Sequence, residues 1–131
     1  MSTPIRPTSP HLQIYRFAYT MALSIVHRAT GMALSVGLLL LTAWLFAVAG
    51  GPEHYREFLT HLGSIPGLII LAGFAASFCY HLVAGIRHLV FDTGRSLERR
   101  EARRSAVIVV VGTLVLIALV AFAAFHLKGL P

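Results

Sequence analysis

Three uninterrupted apolar stretches constrain this chain more than anything else in it. They are "ATGMALSVGLLLLTAWLFAVA" (Ala29 to Ala49), "PGLIILAGFAASFCYHLVAGI" (Pro66 to Ile86) and "AVIVVVGTLVLIALVAFAAFHL" (Ala106 to Leu127). Crossing the hydrocarbon of a bilayer as a helix takes about 20 mostly apolar residues, so each stretch is long enough. None alternates at the spacing of a membrane barrel, so the predicted fold is all-α: a membrane protein with three transmembrane helices. Spans are expected over about residues 20–49, 65–91 and 105–127, together a transmembrane domain of 20–127 behind an interfacial segment of 1–19. Composition agrees, with 56% hydrophobic and only 12% charged residues, where a soluble domain carries about 25% charged.

Arginine placement sets the expected orientation. The net charge of +6 could point to nucleic acid, yet the arginines flank the apolar stretches, as a topology signal does. No nucleic-acid partner is therefore expected. Arg6 and Arg16 precede the first span, and Arg87, Arg95, Arg99, Arg100, Arg103 and Arg104 follow the second. The loop after the first span holds only Arg56, with Glu53 and Glu57. The N-terminus and the second loop should face the cytoplasm. The N-terminal residues lack the apolar core of a cleavable signal, so direct insertion into a bacterial inner membrane is expected. The arginine-rich loop suits anionic headgroups. Glu53, His54, Glu57 and His61 suit a short interfacial helix better than a metal site. The lone Cys79 excludes an intrachain disulfide and reads as packing.

The remaining polar groups gather at one leaflet. Ser24, His27 and Arg28 are spaced i, i+3, i+4 and share one helical face. His81, Gly85, His88 and Asp92 form a second stripe, at steps of four, three and four. His81 lies about 9 Å of helix above Arg87, at about 1.5 Å per residue. A neutral imidazole at that depth requires a partner inside the bundle. Haem iron is one candidate, since it accepts an imidazole nitrogen axially and its macrocycle suits an apolar interior. An interhelical hydrogen bond is the other. Gly85 leaves room for a flat ring against the backbone. His27, Arg28 and His88 are placed to receive propionates, although snorkelling and topology also account for Arg28. No other deep histidine exists in the spans, because His126 sits at the opposite face, so a second axial ligand would come from another chain. Gly31, Ser35 and Gly112 are small enough for close helix approach.

Three blocks carry a family resemblance: "RPTSPHLQIY" (Arg6 to Tyr15), "SIVHRATG" (Ser24 to Gly31) and "HLVAGIRHLVFDTG" (His81 to Gly94). In this order they resemble the cytochrome b large anchor subunit of succinate dehydrogenase, respiratory complex II, across essentially the whole chain. The form of the first block is similar to the alphaproteobacterial and mitochondrial branch. Phe91 and Ala84 depart from the tryptophan and asparagine of some relatives. The resemblance implies a bundle that binds haem b together with a small partner anchor subunit, with His81 as axial ligand and the partner supplying the opposite histidine. It implies haem-propionate contacts at His27 and Arg28, with His88 in support. Ser24, Ile25, Arg28 and Asp92 are implied at a ubiquinone site, with Asp92 facing Arg28. Flavoprotein and iron–sulfur subunits would oxidise succinate and pass electrons to that site, so the chain belongs to an enzyme without dehydrogenating succinate itself. A haem-free anchor and a fumarate reductase cytochrome b are the alternatives.

Overall fold

A computed structural model describes Ile14 and residues 17–127. The block from Arg6 to Tyr15, Ile14 apart, and Arg16 lie outside the described residues, as does nearly all of the expected interfacial segment. Among the described residues four helices follow in order: α1 (Tyr19–Ala49), α2 (Pro52–Leu62), α3 (Ile65–Asp92) and α4 (Arg99–Leu127). Among the described residues there is no strand. α1, α3 and α4 are each long and apolar enough to cross a membrane. The chain is thus an all-α, multi-pass membrane protein.

The punctuation of the helices is local. α1 stops at Gly50, and Gly51 adopts a φ of +96°, a conformation that side chains resist. Pro52 then opens α2 at a position where its missing N–H costs nothing. α2 is the short helix expected from the Glu53 to His61 spacing, with Glu53 in its first turn and His61 in its last. Both charges favour the dipole ends they occupy when His61 is protonated. Ser64 caps α3 by accepting the Gly67 N–H at 3.3 Å. Gly94, at a φ of +76°, turns the chain out of α3.

α4 begins at Arg99, earlier than the apolar stretch that starts at Ala106. The intervening "RREARRS" contains strong helix formers and no breaker, so the helix propagates through it as an arginine-rich overhang. Its carbonyl groups are used: Arg103 accepts from the Tyr19 hydroxyl at 3.1 Å and Ala102 accepts from Arg87 at 3.2 Å.

α3 is the central helix, packing on α1 along one side and α4 along the other, while α1 and α4 meet little. The buried residues described all lie on α3 and α4: Cys79, Ala84, Ala106, Val109 and Thr113. Small residues let the two backbones approach, and this packing replaces a hydrophobic drive that lipid cannot supply. A Cβ at Gly112 would lie 3.3 Å from Val83 Cγ1, which shows how close they come. α1 has no buried residue, so its outer face is left for lipid or another subunit. At the end near α2 an apolar groove of about 900 Å3 runs between Leu34, Trp44, Phe58 and Phe74.

Candidate functional site

The polar cross-links of the bundle collect at the opposite end, where α1 begins and α3 ends. Tyr80 donates its hydroxyl proton to the Leu23 carbonyl at 2.7 Å, tying α3 to α1. Arg87 donates from Nε to Ser105 Oγ at 2.9 Å and lies 4.4 Å above the Phe91 ring, tying α3 to α4. Arg87, placed at the membrane boundary by its sequence neighbours, is also a clamp between two helices.

Inside these ties lie three histidines. The rings of His27 and His81 stack with centroids 4.1 Å apart and planes 8° from parallel. His88 sits one further step along, 4.8 Å from His27 and tilted by 46°. The histidines of the two stripes thus meet, at the level where spacing placed both stripes. Near Gly85 the structure places the His27 imidazole, whose Nε2 would be 3.8 Å from a Cβ there. That is ordinary contact. A tighter contact falls on Gly31, where a Cβ would stand 3.0 Å from His81 Cε1.

His81 is held from α1 through a single ring nitrogen. Its Nδ1 is 3.1 Å from the His27 carbonyl oxygen and 3.3 Å from Thr30 Oγ1. A carbonyl has no proton to give, so Nδ1 carries the proton and donates. Nε2 is then the nitrogen with the free lone pair, and it makes no hydrogen bond within the described residues. This is the arrangement of a metal-ligating histidine, oriented by its other nitrogen. The Nε2 of His27, in contrast, is sealed from the surface and has no partner. A buried polar atom without a partner costs about 1–3 kcal/mol, so it marks a place where another group fits. Among the described residues no group of three or more His, Cys, Asp or Glu side chains could hold a metal ion alone. Any metal here must bring most of its own ligands.

On the outer side of α1, Ile25, Arg28, Ala29, Gly31, Met32 and Ser35 line a shallow groove of about 660 Å3. It brings together Ile25 and Arg28 of the expected quinone set. Ser24 is half-buried one turn before Arg28 and outside the lining. Asp92 is exposed at the end of α3, and among the described residues no ion pair joins it to Arg28. Thr30 and Tyr80 were not singled out from the sequence. Thr30 had a signal, since it extends the Ser24–His27 face by three more residues.

Three helices able to cross a membrane, with stacked histidines at one end of the bundle, define a class: a helical membrane subunit. Residues 2–120 match the succinate dehydrogenase/fumarate reductase transmembrane subunit family, and the chain belongs to that family. It is 41% identical over 111 residues to the succinate dehydrogenase cytochrome b556 subunit of Paracoccus denitrificans, covering 85% of each chain. It is 43% identical over 111 residues to the mitochondrial succinate dehydrogenase cytochrome b560 subunit of Bos taurus, covering 83% of this chain and 66% of that one. The cytochrome b556 subunit of Rickettsia prowazekii is 37% identical over 111 residues, covering 85% of this chain and 86% of its own. The chain spans about two thirds of the length of the bovine relative. These relatives are subunits of succinate dehydrogenase, an oxidoreductase complex.

Proposed function

We propose that this chain is the large anchor subunit of a succinate:ubiquinone oxidoreductase, that it binds haem b through His81, and that it forms part of the ubiquinone site. The observation that carries this reading is the Nδ1–H of His81 held by the His27 carbonyl, which leaves Nε2 free to bind iron. The residues around it fit the group. Gly31 leaves space at the His81 ring, and the unpartnered Nε2 of His27 offers a polar contact of the kind a propionate accepts. His27, Arg28 and His88 hold the propionates in this reading. When bound, haem supplies a one-electron store beside the quinone site. A small partner anchor subunit would supply the second histidine ligand and would cover the face of α1 that the chain leaves exposed.

At the quinone site, Ser24 donates a hydrogen bond to a carbonyl oxygen of ubiquinone and Ile25 packs against the ring. Arg28 stabilises the negative charge that develops on the oxygen, as a fixed charge in a low-dielectric site does well. Asp92, which has no ion-pair partner among the described residues, orients Arg28 once quinone or the partner subunit draws the two together. The iron–sulfur subunit delivers the electrons and the flavoprotein oxidises succinate. The N-terminus and the arginine-rich loop face the cytoplasm, with the complex in a bacterial inner membrane. The family also includes fumarate reductase subunits, but the similarity to succinate dehydrogenase subunits favours the oxidising direction.

The test is a reduced-minus-oxidised spectrum of the purified complex, parent and His81→Leu. The parent should show a b-type absorbance and the variant should lose it. Survival of that absorbance in the variant would remove His81 as the ligand, and its absence in the parent would make this chain a haem-free anchor.

A further inference from the structure

We propose that Thr30 is a positioning residue for His81, acting through its hydroxyl on the Nδ1–H of the imidazole and so on the electron-donating strength of Nε2. The inference rests on His81 being the iron ligand and goes beyond it, to what on this chain tunes that ligand. Thr30 Oγ1 lies 2.9 Å from both the Val26 and the His27 carbonyl oxygens. Its one proton is committed to those carbonyls, since they can only accept. The lone pairs of Oγ1 are then what face Nδ1, 3.3 Å away. Nδ1–H is thus shared between two acceptors, the Thr30 hydroxyl and the His27 carbonyl at 3.1 Å. Both come from one turn of α1.

Two features make the hydroxyl more than a filler. Its back-bonding to α1 fixes the Thr30 rotamer, so the acceptor is aimed before His81 arrives. Gly31, the next residue, lets the ring come within reach, because any Cβ there would press on Cε1 at 3.0 Å. An acceptor on Nδ1–H gives the ring partial imidazolate character and so raises the basicity of the opposite nitrogen, as the outer partners of metal-ligating histidines generally do. A more basic Nε2 favours ferric over ferrous iron. Loss of the hydroxyl should therefore raise the haem midpoint potential without abolishing binding, since the His27 carbonyl still sets the tautomer.

The test uses the whole complex with Thr30→Val, which keeps shape and removes the acceptor, and Thr30→Ser, which keeps the acceptor. Thr30→Val should retain the b-type haem and show a higher midpoint potential in a redox titration. The expected loss in preference for ferric iron is about threefold to tenfold, the worth of one ordinary hydrogen bond, and tenfold is about 59 mV for a one-electron couple. Thr30→Ser should titrate close to the parent. An unchanged potential in Thr30→Val overturns the proposal, as does a Thr30→Ser shift as large as that of Thr30→Val. If Thr30→Val fails to assemble, Thr30→Ala takes its place in the same titration. Failure of both while Thr30→Ser assembles makes Thr30 a packing residue and also overturns it. His81→Leu separates the two levels. If that variant keeps the haem, the ligand reading falls and this one with it; if it loses the haem while Thr30→Val shows no shift, this one falls alone.

Discussion

The imidazoles of His27 and His81 come from residues 54 positions apart and lie face to face, 4.1 Å between centroids. The same pair is joined a second time, by the His81 Nδ1–H donated to the His27 carbonyl at 3.1 Å. Stacking fixes the plane of the ring and the hydrogen bond fixes its rotation about that plane. His81 is thereby oriented by α1 alone, before any other subunit is considered. The functional consequences run through the residues that permit this contact.

Gly31 is the first of them. In Gly31→Ala the new methyl would stand 3.0 Å from His81 Cε1, so the ring must move by a few tenths of an ångström or tilt. We expect Gly31→Ala to lower the haem content of the purified complex and to change the g-values of the ferric spectrum. Haem per flavin and electron paramagnetic resonance check this. A parent-like spectrum at full occupancy would show that the ring does not lie against Gly31.

Arg28 tests the groove on the outer side of α1. Its side chain lines that groove together with Ile25. Arg28→Leu should depress succinate-dependent ubiquinone reduction by about tenfold or more, the scale of one lost electrostatic stabiliser. Succinate oxidation with an artificial acceptor should remain. Loss of both activities together would point to failed assembly.

Arg87 should matter for stability. Its guanidinium bridges α3 to Ser105 and Ala102 on α4 while lying over Phe91. Arg87→Met removes two donors in a partly buried place and should destabilise the α3–α4 end by about 1–3 kcal/mol. Arg87→Lys should recover little, because a point-like ammonium cannot make the forked contact. Thermal unfolding of the complex in detergent, with protease sensitivity of the segment between α3 and α4, measures both.

At the far end of the bundle, Gly37 faces the Phe74 ring, and an added Cβ would come within 2.7 Å of Phe74 Cε1. Gly37→Ala should cost about 1–3 kcal/mol through overpacking. A second change, Phe74→Leu, should return most of it by making room. Thermal unfolding of the single and double variants decides this, and additive losses would place the two residues out of contact.

Much of the fold could be read from the residues themselves. Hydrocarbon demands about 20 apolar residues per crossing and satisfied backbone groups, and only helices meet both conditions here. The two polar stripes were legible for the same reason. Ser24, His27 and Arg28 on one helix and His81, Gly85 and His88 on the other repeat at helical spacing, and their common level follows from counting turns. The overhang of α4 was not, because charged residues with high helix propensity carry no apolar boundary to mark a start. Nor was the close approach of the His81 ring to Gly31 legible, since spacing along one helix does not reveal which glycine a neighbouring ring approaches.

Number of helices, membrane class and the end of the bundle that carries the histidines were thus determined by the sequence alone, because each depends on local periodicity and on the cost of polar groups in lipid. Which nitrogen of His81 is bound and which is free was decided only by tertiary structure. That choice hangs on the distance from Nδ1 to a carbonyl oxygen on another helix, and no pattern within either helix encodes it. Arg87 followed the same division: its place at the membrane edge was readable from its neighbours in sequence, and its grip on Ser105 came from how α3 and α4 cross.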